Sequence, residues 1–141
     1  MTKIVVDASV AVKWLFPESH SEAAKRVLTR FRELIAPDLL WAEVANAIFK
    51  KILCGEVSAQ EAAEVWREFE RYPIKTVTSK DLAGTALRVA HESESSVYDC
   101  LYLALAYNRN CSLVTADKKF YQRVHAAYPH SETLWLEDIT A

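Results

Sequence analysis

The sequence predicts an α/β fold in three layers, with a parallel five-stranded sheet covered by helices on both faces. Five short, mainly apolar runs alternate with longer segments of helical periodicity, which is typical of strand–helix–strand units. Short apolar runs of this kind suit strands that are buried on both sides. A chain of 141 residues, 51% of them hydrophobic, fills one core. We therefore expect a single domain over residues 1–141, although the patterns do not give the strand order.

In the first half of the chain, aliphatic runs and helix stop signals define two strands and four helices. Apolar residues recur at intervals of three and four in the helices. Gly55 stands where helices commonly end, and Ser58 with Glu61 forms a capping box for the next helix. In chain order the predicted elements are the strand Ile4–Val6, the helix Ser9–Leu15, a helix from Ser19 or Ser21 to about Glu33, the strand Leu34–Ala36, the helix Asp38–Cys54 and a helix from Ser58 through Phe69.

The second half continues the alternation with three strands and three helices. Short β-type runs predict the strands, and Ser or Thr ahead of a periodic segment predicts most of the helix starts. The elements are the strand Pro73–Val77, a helix from Thr78 or Ser79 to about Glu92, the helix Val97–Tyr107 capped by Ser96, the strand Ser112–Thr115, the helix Lys118–Ala127 and the strand Thr133–Leu136. The helix Val97–Tyr107 is apolar on every side, which predicts burial.

Composition excludes several classes of function. The net charge is −2 with 26% charged residues, so the chain lacks a strongly basic footprint for nucleic acid. Only two glycines occur, Gly55 and Gly84, which rules out a glycine-rich phosphate loop. The four histidines show no zinc-ligand spacing. No apolar run approaches the roughly 18 residues of a transmembrane helix, so we expect no membrane segment.

The cysteines favour a reducing compartment. Cys54, Cys100 and Cys111 are odd in number, widely spaced and free of Cys-x-x-Cys, which argues against a disulfide framework. The N-terminus reaches a charge at Asp7 after only three apolar residues, too few for a signal peptide. We therefore expect a cytoplasmic protein with reduced thiols.

Two acids come at the ends of predicted strands. Asp7 follows Ile4–Val6 directly, and Asp117 comes just after Ser112–Thr115. Ligands of parallel sheets bind at this carboxyl edge. Helix capping explains either acid about equally well, although Ser9 can cap the first helix and leave Asp7 free.

Two further acids lie in strongly apolar helices. Glu43 is the only charge between Leu39 and Phe49, at a position that capping cannot explain. Asn46 follows on the same helical face, so a narrow solvated face is the alternative. Asp99 is the single charge between Ser96 and Ala106, and its place in the first turn also suits the helix dipole.

The four acids point to metal chemistry if the first and fourth strands are neighbours. They then converge on one cleft, where the repulsion between ionised carboxylates costs several kcal/mol even at moderate dielectric. Mg²⁺ or Mn²⁺ removes that cost, because these ions prefer oxygen ligands. The reaction that such ions support is attack of a metal-activated water on a phosphodiester.

Each acid stands in its own apolar segment. In order the segments are Val5-Val6-Asp7-Ala8-Ser9, Glu43-Val44-Ala45-Asn46-Ala47, Tyr98-Asp99-Cys100-Leu101-Tyr102-Leu103-Ala104-Leu105-Ala106 and Leu113-Val114-Thr115-Ala116-Asp117-Lys118-Lys119-Phe120. In this order and spacing the chain resembles the PIN-domain family, specifically the VapC-type toxin ribonucleases of toxin–antitoxin systems. Where such proteins often carry Gly ahead of the fourth strand, this chain has Asn110, which also tolerates the left-handed conformation.

The resemblance implies a Mg²⁺- or Mn²⁺-dependent endoribonuclease on a PIN-like fold. The residues it implies are the catalytic metal ligands Asp7, Glu43, Asp99 and Asp117, with Ser9, Asn46 and Thr115 as polar supports. It also implies RNA as the substrate, a homodimer, and a small antitoxin protein whose C-terminal segment fills the cleft.

Two other functions stay open at this point. One is a non-catalytic PIN-like module whose acids only cap helices while its aromatic faces bind a protein. The other is a haloacid-dehalogenase-like phosphotransferase with Asp7 as nucleophile, which is disfavoured because Ser9 stands where that motif has a second acid.

Phosphate contacts are less sharply indicated. The lysines near the acids in sequence or helical phase are Lys13, Lys50, Lys118 and Lys119. Ordinary solvated lysines are the simpler interpretation. The aromatics Trp14, Phe16, Trp41, Trp66 and Phe69 suit packing better than base stacking.

Overall fold

The computed structural model describes residues 2–140, which form a five-stranded, all-parallel sheet in the order β3-β2-β1-β4-β5. The strands are β1 (Lys3–Val6), β2 (Glu33–Pro37), β3 (Ile74–Val77), β4 (Ser112–Thr115) and β5 (Thr133–Trp135). Central β1 lies between β2 and β4, with Val5 in register with Ile35 and Leu113. The predicted α/β class and parallel sheet are confirmed, and the first and fourth strands are neighbours.

Seven α-helices connect the strands within this part of the chain. They are α1 (Ala8–Leu15), α2 (Ser21–Arg30), α3 (Leu39–Leu53), α4 (Ala59–Phe69), α5 (Ser79–Ser93), α6 (Val97–Arg109) and α7 (Lys118–Ala127), and a short 3₁₀ helix (Leu136–Asp138) follows β5. Helix α1 packs on α2 and α3, and α3 on α4, whereas α5 packs on α6 and α7. Because parallel crossovers are right-handed, the two groups cover opposite faces of the sheet.

The core lies on the central strands and on the helix sides that face them. Ile4, Val5 and Val6 are fully buried, as apolar residues on both faces of a covered strand must be. Buried Phe69 packs edge-on against Trp41 with ring centroids 5.2 Å apart. Packing therefore accounts for these aromatics, as expected.

Several predicted caps are present. The hydroxyl of Ser58 accepts from the Glu61 amide at 3.1 Å, and the Glu61 carboxylate accepts from the Ser58 amide at 3.0 Å, which completes the capping box. Gly55 follows α3 with φ +74°, and Asn110 ends α6 with φ 53°. Each left-handed residue stops its helix and turns the chain toward the next element.

The predicted bounds of α2 are wrong at both ends. His20, in the left-handed conformation with φ 67°, precedes the helix and makes no side-chain cap. The Ser21 hydroxyl instead accepts from the Glu18 amide at 2.9 Å, within the turn ahead of the helix. The helix ends at Arg30, because the backbone is already extended at Phe31.

Two helices are more exposed than their sequences indicate. In α3, Phe49 is 52% and Leu53 69% exposed, so this helix packs on one side only. In α6, Tyr98 is 63% and Tyr107 77% exposed. The prediction of burial on every side is therefore wrong for both ends of α6, where no neighbouring helix covers the tyrosines.

Smaller differences concern caps and the thiols. Thr78 precedes α5 without a side-chain cap, and the Ser79 amide donates instead to Asp38 Oδ1 at 3.0 Å. Strand β5 ends at Trp135, one residue early. The three thiols are free, although Cys54 is exposed rather than in the core.

Within residues 2–140, none of the helices has the length and apolar character that crossing a bilayer requires.

Candidate metal centre

Asp7 lies at the carboxyl end of the central strand β1, and its side chain is buried. Its exposed fraction is 6%. It holds the N-cap position of α1, but its side chain accepts no capping hydrogen bond from a backbone amide of that helix, so the capping explanation is wrong for this residue. Its Oδ2 instead accepts hydrogen bonds from the hydroxyls of Ser9, at 2.8 Å, and Thr115, at 2.7 Å.

The backbone holds these two hydroxyls in a donor orientation. The Ala116 amide donates to Ser9 Oγ at 3.0 Å, and the Asp117 amide donates to Thr115 Oγ1 at 3.0 Å. Because each oxygen already accepts from an amide, its own proton is directed at Asp7. The turn after β4 therefore fixes the orientation of a carboxylate on β1, which depends on the adjacency of these two strands.

Glu43 is held by a buried tyrosine. It projects, half-buried, from the second turn of α3. Tyr102 on α6 is fully buried, and its hydroxyl donates to Glu43 Oε1 at 2.6 Å. Asn46, one turn further along α3, is exposed, and its supporting role stays a prediction.

The other two acids lie at helix starts. Asp99 is half-buried in the first turn of α6, where its amide donates to the Ser96 hydroxyl at 3.1 Å. Asp117 is exposed and caps α7, with Oδ1 accepting from the Phe120 amide at 3.1 Å. The capping explanation thus holds for Asp117, but a capping carboxylate keeps its negative charge beside the site.

The surroundings of Asp7 destabilise its ionised form. Burial raises its pKa from 3.8 to about 6. The hydrogen bonds from Thr115 and Ser9 oppose the rise, whereas the negative charges of Asp99 and Glu43 add to it. The hydrogen bonds to this carboxylate therefore favour its ionised form, but among residues 2–140 no cation contributes to its pKa shift.

The same causes act on the neighbouring acids. Burial, opposed by the Tyr102 hydrogen bond and reinforced by the charge of Asp99, raises the pKa of Glu43. Burial and the charge of Asp117 raise the pKa of Asp99, and Arg123 on α7 partly offsets them. Asp7, Glu43 and Asp99 are thus carboxylates whose pKa is raised by burial and by neighbouring negative charge, and Asp117 adds to the charge that acts on Asp99.

The donor set suits a hard divalent cation, because every candidate ligand is an oxygen and several are carboxylates. Among residues 2–140, no three His, Cys, Asp or Glu side chains already stand at metal-binding spacing. The acids interact through their charges, and binding of an ion beside Asp7 would require side-chain rotation among the other acids. Asp7, held by two hydroxyls, is the fixed point of this arrangement.

Two of the four candidate lysines have defined contacts. Lys13 donates to Glu18 at 3.1 Å and is committed to that ion pair. The Lys118 ammonium lies 4.7 Å over the ring of Trp135, at the same carboxyl edge of the sheet as the acids. The other two, Lys50 and Lys119, are exposed.

Two residues of the site were not expected from the sequence. Tyr102 lies three residues after Asp99, and this helical spacing on a shared face was a usable signal. Arg123 carries no such signal, since it looks like any charged residue on the exposed side of a helix.

Together these features define a parallel α/β protein with a group of interacting acidic residues at the carboxyl edge of its sheet. The family model described as the PIN domain matches residues 4–125. The chain therefore belongs to the PIN-domain family, and its similarity to named VapC proteins confirms the VapC-type resemblance.

A relative by sequence supports this assignment, and two solved structures share the fold. Ribonuclease VapC3 of Pyrobaculum aerophilum is 32% identical over 128 residues, which cover 88% of this chain and 96% of that protein. The crystal structure of PAE2754 from Pyrobaculum aerophilum superposes with a TM-score of 0.73 at 20% identity, covering 97% of this chain and 91% of that one. A toxin–antitoxin complex from Klebsiella pneumoniae gives a TM-score of 0.66 at 16% identity, covering 93% and 95%.

Proposed function

We propose that the chain is a Mg²⁺- or Mn²⁺-dependent endoribonuclease and the toxin of a type II toxin–antitoxin pair. The observation that carries this proposal is buried Asp7, whose pKa is raised to about 6 beside the charges of Asp99 and Glu43. A protein maintains such a cost where a cation or a reaction needs the charge. The ribonuclease name of the VapC3 relative supports RNA as the substrate.

In this proposal Asp7, Glu43, Asp99 and Asp117 hold the cation. When bound, the ion polarises a phosphoryl oxygen and lowers the pKa of a coordinated water. Ser9 and Thr115 keep Asp7 ionised and oriented through their hydrogen bonds to Oδ2. Thr115 Oγ1 also accepts a hydrogen bond from the Asp117 amide, so the same hydroxyl positions the backbone that carries the fourth acid.

Substrate binding falls to the few cations near the acids. Arg123 is close enough to act on the charge of Asp99, and Lys118 lies over Trp135 at the same edge. With a net charge of −2, the chain needs such local cations to bind an RNA backbone, and binding should weaken as salt is raised.

The partners in this proposal are a small antitoxin and a second copy of the chain. The toxin–antitoxin complex from Klebsiella pneumoniae, which shares the fold, supports the first partner. The homodimer rests on the family resemblance alone. The three free thiols support a reducing, cytoplasmic location.

A cleavage assay on a single-stranded RNA carrying a fluorophore and a quencher tests the proposal. We expect cleavage with Mn²⁺, none with excess EDTA, and a fall on the order of 100-fold or more in Asp7→Asn, since several kcal/mol of charge stabilisation are lost. The matched control is Asp81→Asn, at an exposed position on α5, which should cleave like wild type.

Two outcomes contradict the proposal. If Asp7→Asn cleaves as fast as wild type with Mn²⁺, the assigned site is wrong. If the folded wild-type chain cleaves no RNA under any of these conditions, the non-catalytic interaction module becomes the better explanation.

A further inference from the structure

We infer that Tyr102 is a positioning residue for the proposed ribonuclease, and that its hydroxyl fixes the Glu43 carboxylate relative to Asp7. This inference rests on the proposed function and adds a residue to its site. Tyr102 touches neither substrate nor metal in this account. It acts only through Glu43.

The hydroxyl of Tyr102 connects two separate parts of the site. Its proton is donated to Glu43 Oε1 on α3, at 2.6 Å, and the Ala8 backbone at the start of α1 lies close enough to act on the pKa of the hydroxyl. Ala8 directly follows Asp7 in the chain. The hydroxyl therefore lies between the start of α1, next to Asp7, and the side chain of Glu43.

The Tyr102 hydroxyl is held in place by its ring. Its proton points to Glu43 Oε1, to which it donates at 2.6 Å. The ring of Tyr102 is fully buried in the core, so the hydroxyl cannot swing away by a change of rotamer. The donor position is thus set by the fold rather than by the flexible glutamate.

Because negative charges surround Glu43, its side chain needs a hydrogen bond such as that from Tyr102 to stay in place. Asp99 raises the cost of ionised Glu43, and Glu43 in turn acts on Asp7. Glu43 is only half-buried, so without a partner its long side chain is free to turn away from these charges into water. The Tyr102 hydrogen bond opposes that movement and keeps the Glu43 carboxylate beside Asp7 and Asp99.

A second feature separates Tyr102 from the supports already described. Ser9 and Thr115 both bond to Asp7 and to the turn after β4. Tyr102 instead lies on α6, three residues after Asp99 and on the same side of that helix. Helix α6 therefore carries both Asp99 and the hydroxyl that holds Glu43, so the positions of these two acids are coupled through one helix.

Tyr102→Phe is the direct test, because it removes one oxygen and keeps the ring. We expect kcat for RNA cleavage to fall on the order of 10- to 100-fold, with KM changed by less than about 3-fold, as for other residues that orient metal ligands. The Mn²⁺ concentration at the midpoint of thermal stabilisation should rise by roughly the same order as kcat falls. The matched control is Tyr107→Phe, the same change on the same helix at a 77% exposed position, which should behave like wild type.

A double-mutant cycle separates positioning from a general structural role. In a Glu43→Gln background, adding Tyr102→Phe should lower kcat by less than about 2-fold, because the group that Tyr102 positions is already disabled. If Tyr102→Phe does not fold, a crystal structure of the wild-type chain with Mn²⁺ provides the test. We expect the Tyr102 hydroxyl to stay within hydrogen-bond distance of one Glu43 oxygen while Glu43 faces the ion, and a Glu43 carboxylate that binds the ion without this hydrogen bond overturns the role of Tyr102.

The outcomes distinguish the two proposals. An equal fall of kcat in the wild-type and Glu43→Gln backgrounds, or a Tyr102→Phe variant with wild-type kcat and Mn²⁺ midpoint, overturns the role of Tyr102 while cleavage itself stands. A wild-type chain that neither cleaves RNA nor is stabilised by Mn²⁺ overturns the proposed function instead.

Discussion

Replacing Asp7 by Asn should stabilise the metal-free protein at neutral pH while it removes cleavage. A pKa raised from 3.8 to about 6 means that the ionised group costs about 3 kcal/mol in the folded chain relative to the unfolded one, at about 1.36 kcal/mol for each tenfold change in proton affinity. Asn carries no charge and keeps one oxygen that accepts from Ser9 or Thr115. We therefore expect a gain of about 1–3 kcal/mol, which raises Tm by roughly 3–10 °C for a domain of this size.

The pH dependence gives the sign of the effect. An acid whose pKa is raised on folding holds its proton more tightly in the folded chain. Its favourable contribution is therefore complete below pH 3.8 and is lost as the pH rises through about 6. The Tm difference between Asp7→Asn and wild type should consequently be small at acidic pH and grow to its full value above neutrality.

Scanning calorimetry in EDTA across this pH range is the assay, with Asp81→Asn as the control. Removing that exposed charge in the first turn of α5 should change stability by less than about 0.5 kcal/mol. A lower Tm for Asp7→Asn at pH above neutrality, or a difference that does not shrink on acidification, would refute the reasoning that Asp7 is a destabilised buried anion. Adding Mn²⁺ should reverse the order, because only wild type then gains binding energy.

Three further substitutions test other parts of the structure. Thr115→Val removes a hydrogen bond that lowers the pKa of Asp7, so the acid limb of the kcat/KM profile should move to higher pH; an unmoved limb would contradict this. Ser58→Ala breaks the capping box with Glu61 and should cost about 1 kcal/mol in urea unfolding, far more than an exposed Ser→Ala elsewhere. Phe69→Ala, at a fully buried position, should cost about 3–5 kcal/mol by the same measurement, and a loss below about 1 kcal/mol would show that α4 is not part of the core.

Local sequence signals were sufficient for most of the fold. Apolar runs located all five strands to within about a residue or two, and the Ser58–Glu61 pair and Gly55 marked real helix boundaries. His20 was not foreseen, because its left-handed conformation depends on the turn ahead of α2, where Ser21 and Glu18 bond each other. The exposure of Phe49 depends on which neighbouring helices are present, which periodicity alone does not contain.

The site residues were predictable where their residue type was unusual for their place in the sequence. Asp7 and Glu43 stood out because a charge in an apolar segment needs an explanation. Tyr102 had only one signal in the sequence, its helical spacing from Asp99, and otherwise looked like a core residue until its hydroxyl was seen to bond Glu43. Whether capping or the site engages Asp117 could not be decided from sequence, and its bond to the Phe120 amide shows that capping is one of its roles.

The hydrogen bond between Thr115 and Asp7 spans 108 positions of the chain. During synthesis on the ribosome, β1 emerges before the six helices and two strands that separate it from its neighbour β4. Contacts of such long sequence separation form late, because a large loop must close first. A nascent chain that has not yet reached β4 therefore lacks the Thr115 hydroxyl, and the central carboxylate is oriented only after the two strands have paired.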